Sequence, residues 1–239
     1  MDTAKNSILP ILASTILCEE SITLHNIPHY TDIINMCQIL SSLGATIIQN
    51  NSSLIVDNFT TSKYCISPEL SKPIRSSIFT LGALLGRFGR ARVSYPGGCD
   101  IGLRPIDIHL KGLRDLGVTI TERHGMINCD ATHIHGGDVY LDYPSVGATE
   151  NLIMASVLGT PRRTTLHNVA REPEIVDLAK FLNNMGARVI GAGKDTINIH
   201  SVHRLNGVEY TPIPDRIVAG TYLIACAMTG GEICINGCN

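Results

Sequence analysis

Residues 95–109 combine a cysteine, an arginine and several glycines in a pattern that suits anion chemistry. The stretch reads YPGGCDIGLRPIDIH and places Cys99 among three glycines and two prolines. Arg104 stands just before Pro105, whose fixed φ suits the first turn of a helix expected to begin near Asp107. An arginine and a helix N-terminus both lower the pKa of a nearby thiol. The stretch therefore predicts a reactive thiol beside an anion site, with an incidental cysteine in a strand-to-helix loop as the alternative.

Other polar residues collect where the chain is expected to enter helices. Lysine and arginine side chains at helix N-termini are suited to phosphate and carboxylate groups. Any one of these residues could be an ordinary solvated cap. Six similar placements favour one shared cleft for a polyanionic substrate. The six are Lys5 with Asn6, Arg75, residues 104–107, residues 145–149, residues 171–174, and Asp215 with Arg216.

Composition describes a globular chain and excludes several classes of protein. The 239 residues are 44% hydrophobic and 17% charged, with a formal net charge of −2. This balance has no basic excess that would indicate nucleic acid as a partner. The longest apolar runs are too short to span a bilayer, so no membrane partner is expected. The N-terminus shows no signal-peptide pattern, which predicts a cytoplasmic protein.

The eight cysteines form no C-x-x-C pair. Several stand inside apolar patterns, where cysteine acts as a small buried hydrophobe, and reduced thiols are the expected state. Cys234 and Cys238 match no compact zinc pattern, so we predict no metal. P-loop, dinucleotide-binding and serine-hydrolase motifs are also missing, and no cofactor is predicted.

A helix–glycine–strand piece recurs three times along the chain. The sequences LGATII, LGVTI and MGARVI place glycines at positions 44, 117 and 186, which are 73 and 69 residues apart. Each glycine follows a helical pattern, over residues 32–43, 107–116 and 175–185, and precedes two short strands. A second helix with its strand completes each unit: 6–18 with 21–24, 76–88 with 92–95, and 149–158 with 164–167. The pattern predicts an α/β domain of three β-α-β-α-β-β repeats with pseudo-threefold symmetry, chance similarity being the alternative.

The spacing of the units predicts the domain organisation. Residues 1–213 form the first domain, with repeats at about 5–70, 71–140 and 141–213. Residues 214–239 start a second such domain, with a helix over 217–228, a turn over 229–231 and a strand over 232–235. No strand precedes the first helix. We therefore expect a piece of a longer protein, a compact natural terminus being the alternative.

Five stretches resemble one known family. The stretches are AKN at 4–6, PGGCDIGLRPID at 96–107, SVGATEN at 145–151, AREPEIVD at 170–177 and PDRI at 214–217. In this order they resemble the UDP-N-acetylglucosamine 1-carboxyvinyltransferase family of enolpyruvyl transferases. The resemblance implies an inside-out α/β fold of two domains with the active site between them. It also implies enolpyruvyl transfer from phosphoenolpyruvate to the 3′-hydroxyl of UDP-N-acetylglucosamine, at the start of peptidoglycan synthesis. The sister enzyme that makes enolpyruvyl-shikimate phosphate shares the fold and lacks the cysteine loop.

The resemblance also implies roles for individual residues. Cys99 would act in acid chemistry, form an adduct with phosphoenolpyruvate and be alkylated by fosfomycin. Lys5 and Arg104 would hold phosphoenolpyruvate, and Asn6 would contact the sugar. The UDP-sugar site would be lined by Arg75, Arg104, Pro105, Ile106, Asp107, Ile108, Ser145 and Val146. Supporting residues of the cleft would be Glu172, Glu174, Asp215 and Arg216.

Two departures from the family limit what this chain is expected to do alone. Some members have a lysine where this chain has Tyr143. The family's aspartate base and further arginines belong to the second domain, so we expect that domain as a covalent or non-covalent partner and poor turnover without it. Two alternatives stay open: a non-catalytic UDP-sugar-binding module or paralogue, and a purely structural or interaction role.

Overall fold

The computed structural model describes residues 1–97, 105–132, 134–160 and 162–238. The predictions for Cys99 and Arg104 lie outside these described residues. Within them, the α-helices are α1 (Lys5–Ser14), α2 (Thr31–Leu43), α3 (Pro68–Ser71), α4 (Phe79–Phe88), α5 (Asp107–Asp115), α6 (Val146–Ser156), α7 (Pro173–Asn184) and α8 (Arg216–Thr229). Two 3-10 turns, Thr15–Leu17 and Arg75–Ile78, follow α1 and precede α4.

The strands of the described residues are short. They are β1 (Ser21–Leu24), β2 (Thr46–Asn50), β3 (Ser53–Asp57), β4 (Arg90–Ser94), β5 (Thr119–Arg123), β6 (Met126–Asp130), β7 (Gly137–Tyr140), β8 (Arg163–His167), β9 (Arg188–Ile190), β10 (Thr196–His200) and β11 (Glu209–Tyr210).

The three recurring glycines end helices as predicted. Gly44, Gly117 and Gly186 have φ values of 112°, 90° and 103°, in the left-handed region that glycine adopts without a steric penalty. Gly44 is the C-cap of α2, and the other two stand one residue beyond the C-caps of α5 and α7. The sharp turn at each glycine starts a strand within three residues.

The three sheets repeat one strand order. They run β11-β1-β3-β2, β7-β8-β10-β9 and β4-β6-β5. In the first two, the leading strand is parallel to its neighbour and the remaining pairs are antiparallel. In the third, a single parallel bridge from Cys65 to Arg92 takes the place of the leading strand. The prediction of three related α/β units is confirmed.

The leading strand of the first sheet comes from the far end of the chain. Thr23 and Leu24 of β1 pair with Glu209 and Tyr210 of β11. Close by, Thr3 forms an antiparallel bridge with Pro214, and the Ala4 N–H donates to the Ile213 carbonyl at 2.8 Å. The start of α1 is therefore tied to the segment that leads into α8.

Helices occupy the centre of the molecule and the sheets lie outside. Residues 7–14 of α1 and 148–156 of α6 are buried without interruption, so these helices are surrounded on all sides. Strands β3 and β10 instead alternate, with every second residue buried. This inside-out arrangement points several helix N-termini toward one region.

One predicted element is wrong. Residues 232–235 form no strand, although their sequence suits one. A strand needs a neighbouring edge to satisfy its backbone groups, and these four residues meet none among the described residues. The boundary predicted between residues 213 and 214 stays a prediction. No helix in the described residues is long and apolar enough to cross a membrane.

Candidate functional site

A cavity of about 460 Å³ lies where helix starts converge. It is bordered by the first turns of α1, α2, α6, α7 and α8, by the 3-10 turn before α4, and by α5. Because each helix start carries a partial positive charge, their convergence favours an anion. Of the predicted site residues, those that border the cavity are Lys5, Asn6, Arg75, Pro105, Ser145, Val146, Glu172, Glu174 and Arg216.

The remaining predicted residues lie elsewhere. Ile106, Asp107 and Ile108 border a neighbouring cavity of about 440 Å³, which Pro105 shares. Asp215 caps α8, since its carboxylate accepts hydrogen bonds from the Ile217 and Val218 N–H groups. Its other oxygen accepts from the Lys5 N–H at 3.3 Å, which links α8 to α1.

Lys5 occupies an electrostatically unfavourable position at the first residue of α1. A cation there opposes the helix dipole, and Ala4, the N-cap, offers no side-chain hydrogen bond. The Lys5 ammonium is held by the Asp32 carboxylate, with Nζ 2.9 Å from Oδ2, and about half of the Lys5 side chain is exposed. A lysine kept at a helix start and facing a cavity is suited to an incoming anion.

Ser145 and Gly147 shape the start of α6. The Ser145 hydroxyl is the N-cap and accepts from the Ala148 N–H at 3.4 Å. A Cβ at Gly147 would lie 3.0 Å from His109 Cε1, so glycine lets the imidazole pack against the helix start. Val146 and Gly147 border the cavity, and their N–H groups, the first two of the helix, have no partner within it.

His109 is a neutral imidazole in this wall that accepts a hydrogen bond from Asn151. Asn151 Oδ1 accepts from the Gly82 N–H at 2.7 Å, so its Nδ2 donates to His109 Nδ1 at 2.8 Å. The proton of the neutral ring therefore resides on Nε2. Burial, with a smaller contribution from the Arg75 charge and against the opposing charge of Asp107, lowers the pKa of His109 to about 4.

Arg216 and Glu174 join the starts of α8 and α7. The Arg216 Nε and Nη2 atoms donate to the two carboxylate oxygens of Glu174, each at 3.0 Å. This bidentate hydrogen bonding raises the pKa of Arg216.

A second carboxylate, Asp177, fixes the position of α1. Its oxygens accept hydrogen bonds from the Ser7 hydroxyl, the Tyr210 hydroxyl at 2.6 Å and the Ile213 N–H at 3.1 Å. Asp177 is buried, so these bonds satisfy a charge that would otherwise be costly. They hold the helix that carries Lys5 and Asn6 against α7.

Sequence reasoning missed several residues of the cavity wall. Asp32, His109 and Glu150 all border it. Helical spacing offered a signal for Glu150, because it follows Val146 by four residues and so shares its face of α6. His109 carried no comparable signal, since nothing in the sequence shows that Asn151 reaches its ring. No group of three or more His, Cys, Asp or Glu side chains in the described part of the chain is placed to hold a metal ion, and the absence of a metal or cofactor stays a prediction.

Solved structures define the class of fold. The enolpyruvyl transferase NikO from Streptomyces tendae matches with a TM-score of 0.81 at 23% identity, over 94% of this chain and 53% of that one. EPSP synthase from Acinetobacter baumannii matches with a TM-score of 0.70 at 14% identity, over 95% of this chain and 52% of that one. Both likenesses concern the fold, which is that of the enolpyruvyl transferases.

The profile of the EPSP synthase (3-phosphoshikimate 1-carboxyvinyltransferase) family matches residues 2–239. The chain belongs to this family. It is 51% identical, over 97% of its length, to UDP-N-acetylglucosamine 1-carboxyvinyltransferase 2 of Caldanaerobacter subterraneus subsp. tengcongensis. It is 50% identical, over 96% of its length, to UDP-N-acetylglucosamine 1-carboxyvinyltransferase of Coxiella burnetii. The chain spans about half the length of these curated relatives, 55% and 53% respectively.

Proposed function

We propose that this chain forms the first half of an enzyme that transfers the enolpyruvyl group of phosphoenolpyruvate to the 3′-hydroxyl of UDP-N-acetylglucosamine. This reaction would begin peptidoglycan synthesis. One observation carries the proposal: nine residues chosen from sequence resemblance border a single cavity at converging helix starts. The loop sequence around Cys99 and the names of the relatives favour the UDP-sugar over a shikimate substrate.

The proposed chemistry needs cations, an acid and a base. The sugar oxygen bonds to C2 of phosphoenolpyruvate while a proton goes to the methylene carbon, and the hydroxyl proton goes to the base. The intermediate then loses phosphate and one methyl proton, which restores the double bond. Lys5 and Arg104 would stabilise the phosphate and carboxylate charges, and Cys99 would act as the acid. The base would come from the other half of the enzyme.

The N-terminal turn of α6 and Asn6 would hold the UDP-sugar. Val146, beside Ser145, would offer its backbone N–H to the diphosphate, because the Ser145 N–H already donates to the Tyr143 carbonyl at 2.7 Å. Asn6 faces the same cavity from α1. Pro105 would contact the nucleotide where the two cavities adjoin, with Ile106, Asp107 and Ile108 around it. The rim of the cleft would be formed by Glu172, Glu174, Asp215 and Arg216.

The partner of this chain would be the remaining half of the enzyme. Helix α8 exposes apolar side chains along its length, including Tyr222, Ile224 and Met228. Such a surface is typical of an interface. We propose that the remainder of the second domain covers α8 and that the enzyme works in the cytoplasm, where its thiols stay reduced.

A second candidate is a module that binds the UDP-sugar without turnover. The described cavity is built from this half alone, whereas the base is expected in the other half. Binding and turnover are therefore separable, and the two candidates differ only in whether the second domain restores the reaction.

Calorimetric titration of the chain with UDP-N-acetylglucosamine tests the shared part of both candidates. We expect binding, and a loss of about tenfold for Asn6→Ala, the size of one good hydrogen bond. Asn50→Ala, an exposed asparagine on β2, is the matched control and should bind like wild type. Absence of binding would overturn both candidates.

Phosphate release separates the candidates. The chain alone should release phosphate slowly or not at all, and addition of the second domain should restore turnover. Normal release from the chain alone would contradict the proposed division of the active site. Binding without turnover after the second domain is added would leave the module as the function.

A further inference from the structure

Glu150 is a buried acid in the cavity wall whose carboxyl has no hydrogen-bond partner in the described part of the chain. It lies in α6, is 0% exposed and borders the cavity, within reach of the Glu174 charge. Neither of its carboxyl oxygens has a hydrogen-bond partner among the described residues. A buried polar group left in this state costs stability, and such groups are rare in native proteins. A functional reason for keeping Glu150 is therefore to be sought in the cavity.

The surroundings of Glu150 favour the uncharged carboxyl. Two of the cations that border the cavity are engaged by other carboxylates, Arg216 by Glu174 and Lys5 by Asp32. Burial raises the pKa of Glu150 well above its ordinary value, and the charges of Glu174 and Glu172 raise it further. The other titratable groups that border the cavity are Arg75 and His109, the latter neutral. In the uncharged form, the carboxyl has an O–H donor that no described protein group uses.

A protonated carboxyl and a carboxylate have opposite effects on an anionic ligand. The carboxylate would repel phosphate oxygens, whereas the protonated form donates a hydrogen bond to them. Glutamate has three side-chain torsions, so the carboxyl can turn toward the cavity that it borders. The Glu150 O–H group would then gain a hydrogen-bond partner only when a ligand oxygen enters the cavity.

We propose that Glu150 is an uncharged hydrogen-bond donor to an oxygen atom of the nucleotide sugar and so a ligand-binding residue of this cavity. The proposal rests on the proposed function for the identity of the ligand. It predicts that the Glu150 side chain strengthens binding of the nucleotide sugar and lowers the stability of the ligand-free chain. This opposition distinguishes a ligand-binding role from a structural one.

Two substitutions of Glu150 distinguish the effect of its hydrogen-bond donor on ligand binding from the effect of its side-chain size. Glu150→Gln keeps the length and an N–H donor, and Glu150→Leu keeps much of the volume without polar atoms. We expect Glu150→Leu to raise the unfolding temperature yet weaken UDP-N-acetylglucosamine binding about tenfold, which corresponds to about 1.4 kcal/mol. Glu150→Gln should bind within about twofold of wild type.

Ser156→Ala is the matched control. Its hydroxyl is a second buried group of α6 without a hydrogen-bond partner among the described residues, and Ser156 does not border the cavity. Its removal should raise the unfolding temperature and leave binding unchanged. Equal affinities of wild type and Glu150→Leu would overturn the proposal and leave the proposed function intact. Failure of wild type to bind would contradict both.

Infrared difference spectra between wild type and Glu150→Gln test the charge state directly. At neutral pH we expect the carbonyl stretch of a protonated carboxyl, shifted to lower frequency when UDP-N-acetylglucosamine is added. The shift reports the new hydrogen bond. The stretch of an ionised carboxylate at neutral pH would overturn the proposal whatever the binding data show.

Discussion

Arg216 and Glu174 form a bidentate ion pair whose two members differ in exposure. The Arg216 side chain is 45% exposed, and the Glu174 side chain is 4% exposed. Both carboxylate oxygens are used, each at 3.0 Å. The guanidinium can return to water if it loses its partner, whereas the carboxylate cannot. Loss of Arg216 therefore leaves a buried, unpaired carboxylate, whereas loss of Glu174 leaves a guanidinium that water can solvate.

The asymmetry predicts unequal costs for the two deletions. Arg216→Ala leaves a buried carboxylate beside Glu150 and should lower the free energy of opening α8 by about 2 kcal/mol. Glu174→Gln removes the buried charge and should cost less than about 1 kcal/mol. Amide hydrogen exchange in α8 measures both. Arg171→Ala, which breaks a long and exposed pair with Asp195, is the control and should change little. A larger cost for Glu174→Gln than for Arg216→Ala would contradict this account.

The lowered pKa of His109 predicts that the free energy of unfolding depends on pH below neutrality. Its pKa is about 4 in the folded chain and about 6.5 when unfolded. Between these values the unfolded chain binds a proton that the folded chain does not, so the free energy of unfolding falls as pH is lowered. The full effect is about 3 kcal/mol for this residue. Urea denaturation at pH 7 and pH 4.5 measures it.

The control for this prediction is another histidine. His109→Gln should lose the residue's part of the pH dependence, and His203→Gln, at an exposed loop position, should keep it. Identical pH profiles for wild type and His109→Gln would show that the imidazole is not held neutral by burial.

Gly82 allows α4 and α6 to approach closely. A Cβ at this position would lie 2.3 Å from the Asn151 carbonyl oxygen. Gly82→Ala should therefore force the helices apart and destabilise the chain by about 2 kcal/mol or more. Gly220→Ala in α8 meets no atom within 4 Å and should stabilise that helix by about 0.5–1 kcal/mol. Thermal unfolding of the two variants should shift in opposite directions, and a shift in the same direction would argue against this packing.

The sequence predicted elements whose cause is local. Gly44, Gly117 and Gly186 follow helical patterns and adopt the left-handed conformation that only glycine reaches easily. Ser145 is likewise a local signal, because serine is a preferred N-cap residue and Ser145 caps α6. These features recur at similar spacing, so the three units were visible without a structure.

Features that depend on distant partners could not be predicted. The pairing of β1 with β11 joins Leu24 to Tyr210, and no local pattern specifies so remote a neighbour. The strand expected over 232–235 failed for the same reason, since a strand forms only beside another edge. The helical spacing of Glu150 from Val146 indicates a shared face of α6, but its complete burial depends on the elements that surround α6.

Thiol reactivity should separate the cysteines into two groups. Burial raises the pKa of Cys129 to about 12 and that of Cys37 to about 11, so both should resist a thiol reagent at pH 8 until the chain unfolds. Cys65 and Cys234 are exposed and should react in the folded chain. Mass spectrometry after brief labelling measures the two groups, and early modification of Cys129 would contradict the burial.

Fosfomycin should select one thiol among those that react. An anionic epoxide needs a thiolate next to cations, and exposure alone does not supply them. We therefore expect Cys99→Ser to abolish the fosfomycin adduct while the general reagent still modifies Cys65. Cys65→Ser is the matched control and should retain the adduct. An adduct that persists in Cys99→Ser, or that forms on Cys65, would place the anion site away from residues 96–107. The assignment of the catalytic acid to that loop would then lose its chemical basis.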